Sequence, residues 1–176
     1  MNISRPLFAV LAACSMLPIT SALAQQKAAP EPAASRYYPL VGMWQGEGKL
    51  QEGSQPTVSL NVHLNCKKAS SGWAVICEMR ALSSKTVITE TDLMGVDPIT
   101  GVGHWYAITN QGETHDHIAE WPDARTMKAH YAWTQDGKKT DENITYNITG
   151  AKTMEFRSII TQNGKEVASF SGKLGR

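Results

Sequence analysis

Residues 58–66 read VSLNVHLNC, and this stretch decides the fold class. Every second position in it is apolar, namely Val58, Leu60, Val62, Leu64 and Cys66. The positions between them are polar, so one side of the segment is apolar and the other side is hydrophilic. A period of two with several β-branched residues is typical of a strand that buries one face. The stretch therefore predicts a half-buried β-strand.

The segment that follows, residues 73–81, alternates in the same way and is separated from the first by turn residues. A hairpin centred near Ser71 and Gly72 places Cys66 directly opposite Cys77. Facing residues of an antiparallel pair have Cα separations that a disulfide can bridge. The Cys-x-x-Cys spacing of redox sites is absent from the sequence, which favours a structural bond. Closing so short a loop stabilises the fold by about 3 kcal/mol on the chain-entropy model.

Eight further stretches with alternating character extend in both directions from this hairpin. They lie at 44–50, 86–94, 102–109, 115–121, 125–134, 139–148, 153–162 and 165–174. Turn residues separate them, and Asp136-Gly137 and Asn163-Gly164 are strong signals for tight hairpins. No segment shows the apolar repeat of an amphipathic helix, so the chain is expected to be all-β.

Ten consecutive strands joined by short turns describe a meander, and a long meander hides its edges by closing. We therefore predict a ten-stranded antiparallel up-and-down barrel. A two-sheet sandwich is the main alternative, but the absence of a long crossing connection in the sequence favours the barrel. A barrel of about eight to ten strands has room inside for side chains or for one small ligand.

The first 24 residues are typical of a secretory signal peptide. Arg5 provides a positive charge, residues 7–19 are apolar, and Ala22-Leu23-Ala24 provides the small-residue cleavage pattern. The apolar run is shorter than the roughly 20 residues that a membrane-spanning helix needs. Cleavage after Ala24 predicts a periplasmic or secreted protein. The alternative is lipid anchoring through Cys14, since residues 11–14 resemble a lipoprotein processing box.

The expected domain organisation is a signal peptide at 1–24, a flexible leader at 25–35 and a barrel domain at 36–176. The leader, QQKAAPEPAAS, is rich in Ala and Pro and has no periodicity. Removing the signal also removes Arg5, so Lys+Arg falls from 17 to 16 and equals Asp+Glu at 16. A neutral chain without a basic stripe is not expected to bind nucleic acid. It is also not expected to retain a transmembrane segment.

Residues 40–50, LVGMWQGEGKL, resemble the opening of a lipocalin-like barrel, whose first strand is marked by Gly-x-Trp. The extended pattern Gly-x-Trp-x-Gly-x-Gly is most similar to nitrobindin-like proteins and to secreted bacterial lipocalin-like domains. In this reading Trp44 plugs one end of the barrel, while Gly46 and Gly48 allow close backbone approach. In lipocalins a basic residue from a late strand covers this Trp, which implies one of three candidates here: Arg157, Lys173 or Arg176.

Haem binding is not expected, although nitrobindins hold haem through a histidine on a late strand. The last histidine of this chain is His130, so the late strands contain none. No cofactor is therefore predicted from the resemblance.

Four of the five histidines lie between His104 and His130. If the turns at 110–113 and 122–125 are symmetric, His117 faces His130 and His104 lies diagonally adjacent. Three imidazoles placed in this way can hold Zn²⁺, which favours tetrahedral nitrogen ligands. A metal-binding protein or metal-dependent enzyme that uses these three histidines is therefore an alternative function.

Strand register decides which face the histidines occupy. A register shifted by one residue would turn His115 and His117 to the apolar side and break the pairing with His130. The simpler interpretation is that these histidines lie on the surface or make single hydrogen bonds, with no metal bound. The barrel interior is expected to include apolar and aromatic residues of the 125–134 strand, namely Met127, Ala129, Tyr131 and Trp133.

The residues expected to line a ligand pocket are aromatic: Trp44, Trp105, Tyr106, Tyr131, Trp133 and Tyr146. The carboxylates Glu90, Asp92, Asp141 and Glu142 sit at strand spacings that indicate solvated faces. The sequence contains no nucleophile elbow, zinc-protease motif, phosphate loop or dinucleotide glycine pattern. We therefore expect an exported, non-enzymatic barrel that binds a small apolar or amphiphilic ligand. A filled barrel that serves as a structural or interaction module is a further alternative.

Overall fold

A computed structural model describes residues 33–176 of the chain. The expected signal peptide with its Cys14, and residues 25–32 of the expected leader, lie outside the described residues. The described part begins with the 3₁₀ helix Ala33–Leu40, and a short 3₁₀ turn spans Ser70–Gly72. The ten strands are β1 Gly42–Glu52, β2 Val58–Ala69, β3 Ala74–Leu82, β4 Val87–Val96, β5 Gly103–Thr109, β6 Thr114–Glu120, β7 Thr126–Gln135, β8 Lys138–Gly150, β9 Thr153–Gln162 and β10 Lys165–Gly175.

The ten strands close into a barrel in which all neighbours are antiparallel. Each strand pairs with the next one along the chain, and β1 also pairs with β10, from Gln45 opposite Gly175 to Glu52 opposite Ala168. The strands coincide with the ten predicted ones, and only their ends differ. The prediction of a ten-stranded antiparallel up-and-down barrel is therefore confirmed.

Two hairpins have the turn geometry that their sequences require. Asp136 and Gly137, between β7 and β8, have φ angles of 50° and 73°. Asn163 and Gly164, between β9 and β10, have φ angles of 50° and 78°. A type I′ turn needs positive φ at both central residues, which these residue types tolerate best. These two connections are therefore two-residue hairpins.

The disulfide joins Cys66 of β2 to Cys77 of β3, as predicted. The two residues face each other in the strand register, with Cα atoms 4.1 Å apart and an S–S bond of 2.04 Å. The four residues between β2 and β3 centre the hairpin on Ser71 and Gly72, which produces this pairing.

The 3₁₀ helix Ala33–Leu40 packs against one end of the barrel, which we call the closed end. Tyr37 and Leu40 are buried in the same core as Trp44. The Trp44 indole N–H donates a hydrogen bond of 2.8 Å to the Leu40 carbonyl oxygen, and the Tyr37 hydroxyl donates one of 3.0 Å to the carbonyl of His104. The boundary expected between the leader and the barrel domain, after residue 35, lies within this helix. Ala34, which precedes the boundary, is buried.

Trp44 lies at the closed end with the guanidinium of Arg176 above its ring, 4.3 Å from the ring centroid. Arg176 also donates hydrogen bonds to the carbonyl oxygens of Val41 and Ala151. Arg176, and neither of the other two basic candidates, thus occupies the position over the Trp. A side chain at Gly46 would bring its Cβ within 2.0 Å of the Lys173 carbonyl oxygen, so β1 and β10 can approach this closely only with glycine there.

The opposite end of the barrel is formed by the turns that follow β1, β3, β5, β7 and β9. Inward side chains near these turns, such as Leu50, Val58 and Ile88, are only partly buried. The interior is therefore more accessible from this end than from the closed end. Within residues 33–176, none of the helical segments is long and apolar enough to span a membrane.

Candidate functional site

A cavity of about 150 Å³ lies inside the barrel. Most of its wall is apolar and includes Leu50, Val62, Met79, Ile88, Phe156 and Phe170. Polar groups enter it from Glu90, Glu142, Tyr146 and Ser158. An apolar wall with a few placed polar groups is typical of small-molecule sites. A cavity of about this volume accepts a molecule the size of benzene.

Five of the six aromatic residues expected to line a pocket point into the barrel. Trp105 and Tyr146 line the cavity, whereas Trp44 belongs to the closed end. Tyr131 and Trp133 stack beside each other on the inner face of β7, with ring centroids 5.2 Å apart.

Tyr106 was wrongly expected in the pocket. It lies on the outer face of β5 and is 44% exposed. Trp105 and Tyr106 are consecutive on one strand, and successive side chains of a strand point to opposite faces. Because Trp105 is buried inside, Tyr106 has to point outward.

The structure does not bring His104, His117 and His130 together. His104 and His130 lie on the outer face, where each contacts a carboxylate: Asp116 at 3.2 Å and Asp141 at 3.3 Å, respectively. His117 points into the barrel and is 2% exposed. The predicted grouping of these three histidines is therefore wrong.

The reason is the length of two loops. The β5–β6 hairpin is centred on Gln111, because Ile108 pairs with Thr114 and Thr109 N–H donates to the Glu113 carbonyl, so His117 pairs with Trp105 instead of Tyr106. The β6–β7 connection sets Ile118, not His117, opposite His130. A shift of one residue turns every side chain of a strand to the other face. The shifted register, considered as the alternative, is the one that the protein adopts.

The inward face of β6 instead brings His115 and His117 to Glu142 of β8. One carboxylate oxygen, Oε2 of Glu142, lies 2.9 Å from Nε2 of His117 and 3.3 Å from Nδ1 of His115. The other oxygen, Oε1, accepts a hydrogen bond of 2.7 Å from the Ser158 hydroxyl. The two imidazoles and the carboxylate form a compact cluster beside the cavity, because Glu142 and Ser158 also line it.

Aromatic rings enclose this cluster. The His115 ring is stacked on Tyr131, with centroids 4.6 Å apart, and lies 5.2 Å from the ring of Trp133. His117 packs beside Trp105 at 5.3 Å. The rings limit the access of water, so electrostatic interactions within the cluster are stronger than on the surface.

The charge state of Glu142 follows from its hydrogen bonds. Burial alone would raise the pKa of Glu142, but hydrogen bonds from His115, His117 and Ser158 lower it to about 2. The same contact with Glu142 raises the pKa of His115, against the opposing effect of burial. The cluster therefore holds an ionised carboxylate inside the barrel.

A second acidic group lies next to it on β4 and has the opposite character. Burial raises the pKa of Asp92 to about 6, although the Trp105 indole donates to its Oδ1 at 2.7 Å. Burial and the neighbouring charge of Asp92 raise the pKa of Glu90 well above its ordinary range. Two environments thus push the pKa values of neighbouring carboxyl groups apart, a pattern that is common where carboxyl groups have distinct roles.

Sequence reasoning missed these carboxyl groups, because Glu90, Asp92 and Glu142 were expected on solvated faces. Only Asp141 of that set points outward, where it contacts Lys139 and His130. The alternation of apolar and polar residues along these strands does indicate the inward face. Glu90 and Asp92 share a face with the buried Met94, and Glu142 shares one with the buried Ile144.

Neither a comparison with models of protein families nor one with curated proteins finds a match for this chain. The chemistry of the barrel interior is therefore the basis on which its function is inferred.

Proposed function

We propose that this protein is an exported, lipocalin-like carrier or sensor that binds one small molecule in its barrel without transforming it. The cavity of about 150 Å³ carries this proposal. Its apolar wall favours a hydrocarbon or aromatic body, and Glu90, Glu142, Tyr146 and Ser158 favour a polar group at one end. Haem, a four-ring macrocycle, is much larger than this space.

The carboxyl groups restrict the chemistry of that polar end. Glu142 is ionised and lines the cavity, and Asp92, with a pKa of about 6, lies beside Glu90, which also lines it. An anionic head group would be repelled by these charges and would lose its hydration in a low-dielectric interior. A neutral hydrogen-bonding group, such as a hydroxyl, can instead accept from Tyr146 or donate to a carboxyl group. The preferred ligand is therefore a small neutral amphiphile with an apolar body.

A matched pair of probes tests this chemistry. Benzyl alcohol and benzoate have similar apolar bodies but differ in the charge of the head group. In calorimetric titrations of the EDTA-treated protein at pH 8, we expect benzyl alcohol to bind and benzoate to bind at least tenfold more weakly. Equal binding of the two probes would contradict the proposed selection against anions, and no binding of either would contradict a ligand cavity of this type.

Cavity-filling variants locate the binding site. Ala168 lines the cavity, whereas Ala132 is exposed on the outer face of β7. Ala168→Phe should abolish binding of benzyl alcohol, and Ala132→Phe should leave it unchanged. Loss of binding in the outer-face control would place the site elsewhere.

The lipocalin-like assignment is supported by the closed end. Trp44 follows Gly42 at the start of the first strand, and Arg176 of the last segment covers its ring at 4.3 Å. This is the arrangement that the resemblance of residues 40–50 implies.

Export is supported by the signal-like residues 1–24 and by the Cys66–Cys77 disulfide. Structural disulfides persist in oxidising compartments. N-terminal sequencing of the protein recovered from fractionated bacteria that express the full chain should give Gln25 as the first residue. A lipid-modified N-terminus at Cys14 would instead establish membrane anchoring, and an unprocessed Met1 in the cytosol would contradict export.

A further inference from the structure

The His115, His117 and Glu142 cluster has a hydrogen-bonding pattern that an ordinary buried histidine does not need. Nδ1 of His117 faces the carbonyl oxygen of Trp105 at 3.3 Å, and Nε2 faces Oε2 of Glu142 at 2.9 Å. Both partners are oxygen atoms, a backbone carbonyl oxygen and a carboxylate oxygen that also faces Nδ1 of His115. A neutral imidazole carries only one N–H, so one ring nitrogen would direct a lone pair at an oxygen atom.

Two species resolve this conflict. Either both ring nitrogens of His117 carry a proton, or a metal cation is bound by Nε2 together with the carboxylate oxygen. In the second case the ring donates its Nδ1–H to a backbone carbonyl and coordinates through Nε2. That arrangement is the usual one for metal-ligating histidines, whose second nitrogen is fixed by a carbonyl or carboxylate.

His115 distinguishes between the two species. Its Nδ1 lies 3.3 Å from the same Oε2 atom, so two ring nitrogens converge on a single carboxylate oxygen. The three potential ligand atoms all lie within 4.8 Å of one another. Ligands about 2.0 to 2.1 Å from a tetrahedral ion are about 3.3 Å apart. The His115–Glu142 separation of 3.3 Å matches this distance, and the His117–Glu142 separation of 2.9 Å has to widen by about 0.4 Å when an ion binds. A single ion pair between one histidine and one carboxylate does not require this convergence.

The surroundings of Glu142 complete the pattern. Its second oxygen accepts a hydrogen bond of 2.7 Å from Ser158, which fixes the orientation of the carboxylate. Outer partners of this kind orient metal-binding carboxylates and histidines. The rings of Tyr131, Trp133 and Trp105 surround the two imidazoles and reduce competition from water.

We propose that His115, His117 and Glu142 form a binding site for one divalent transition-metal ion, of which Zn²⁺ is the representative. Two imidazoles and a carboxylate suit ions of this class. Three protein ligands leave a tetrahedral ion with an open position, and the cavity beside Glu142 provides space for it. The metal site does not depend on the cavity holding an organic molecule, although a ligand with an oxygen donor could complete the coordination.

Metal titration of the protein purified from cells that express the full chain tests this proposal. After treatment with EDTA and its removal, we expect one Zn²⁺ to bind per chain in competition with a chromophoric chelator. Co²⁺ in its place should give the visible absorption bands of a four- or five-coordinate site. Glu142→Gln should weaken Zn²⁺ binding at least tenfold and His115→Ala at least 100-fold.

The controls use the outer-face histidines. His104→Ala and His130→Ala remove imidazoles that also contact carboxylates, so they test whether any His–carboxylate pair binds the probe. Both should bind Zn²⁺ as tightly as the unmodified protein. Glu142→Gln keeps the shape of the side chain, and His115 is more exposed than His117, at 17% against 2% of the side chain, so the test does not depend on His117→Ala being folded.

Three results would overturn the proposal: no stoichiometric Zn²⁺ on the unmodified protein, full Zn²⁺ affinity in both Glu142→Gln and His115→Ala, or loss of affinity in the outer-face controls. The first would leave the cluster as a set of hydrogen bonds between the two histidines and Glu142. Because benzyl alcohol binding is measured in EDTA and Zn²⁺ binding without organic ligand, either site can fail while the other stands.

Discussion

The closed end and the region beside the cavity differ in how their polar atoms are paired. At the closed end, the polar atoms of Trp44, Tyr37 and Arg176 donate to backbone carbonyls, and the rings of Trp44 and Tyr37 pack in an apolar core. The region beside the cavity, which we call the polar half, contains buried and partly buried side chains that pair mainly with one another, namely Glu90, Asp92, His115, His117 and Glu142.

The two regions therefore make different contributions to stability. Burying a Trp with its N–H satisfied is favourable, whereas taking ionisable groups out of water is costly even when they are paired. Apolar residues of similar volume often replace buried charged groups without loss of stability. The polar half is therefore costly for folding, which agrees with the binding roles proposed for it.

The largest effect is expected at the closed end, from Trp44→Ala. Removal of a buried Trp side chain costs about 3 to 5 kcal/mol, and Trp44 is 1% exposed. Urea denaturation should show this loss, whereas Trp73→Ala, at a residue 51% exposed, should change the unfolding free energy by less than about 1 kcal/mol. Similar losses in the two variants would show that the closed end is not the stabilising region.

The disulfide, near the same end of β2 and β3, should contribute the next largest effect. Replacing both Cys66 and Cys77 with Ala opens a loop with a sequence separation of 11 residues. The chain-entropy model predicts a loss of about 3 kcal/mol. Denaturation of the double variant, compared with the unmodified protein with and without a reductant, measures it. A double variant as stable as the oxidised protein would mean that packing alone holds this hairpin.

The fold was predictable because its signals are local. Alternation places each strand, and Asp136-Gly137 and Asn163-Gly164 fix their turns whatever the rest of the chain does. The disulfide was predictable for the same reason, since the loop between β2 and β3 contains an even number of residues about a clear centre.

The site was not predictable to the same degree because it depends on loop parity. Thr109 and Glu113 close the β5–β6 hairpin, which leaves an odd number of residues, 110–112, at its tip, whereas the sequence-based register assumed a turn centred between two residues. One residue decides whether His115 and His117 face solvent or Glu142. The contact between His117 of β6 and Glu142 of β8 was also not predictable from the sequence. The two residues are 25 positions apart, and β7 lies between their strands in the barrel.

The polar half should make stability depend on pH through Asp92. Its pKa rises from 3.8 to about 6 on folding, so the folded state binds more protons than the unfolded state between these values. The contribution of Asp92 to stability should therefore fall as pH rises from about 4 to about 6 and stay low above it. The shift corresponds to about 3 kcal/mol.

Asp92→Asn removes this titration and keeps an oxygen acceptor for Trp105. The quantity to compare is the unfolding free energy of the variant minus that of the unmodified protein. This difference should be up to about 3 kcal/mol more favourable at pH 8 than at pH 4. Glu78→Gln, on the exposed face of β3, is the matched control and should show no such gain. An equal difference at both pH values would mean that Asp92 is not destabilising when ionised, and the contrast between the two regions would be weaker than we infer.

The smallest effect is expected from Arg176, which covers the closed end from outside. A guanidinium over an aromatic ring contributes about 1 kcal/mol where solvent is close, and Arg176 is exposed while its Cζ lies 4.3 Å from the centroid of Trp44. Arg176→Ala should therefore lower the unfolding free energy by about 1 to 2 kcal/mol, since its hydrogen bonds to Val41 and Ala151 are lost as well. Arg176→Lys should recover part of this, and Lys173→Ala, which removes an exposed pair with Glu155, should have almost no effect. If Arg176→Ala is neutral in the native protein but destabilising in the Trp44→Phe variant, Arg176 contributes only when the packing at position 44 is incomplete. If Arg176→Ala is neutral in both proteins, the packing of Trp44 with Tyr37 and Leu40 is sufficient to close this end of the barrel.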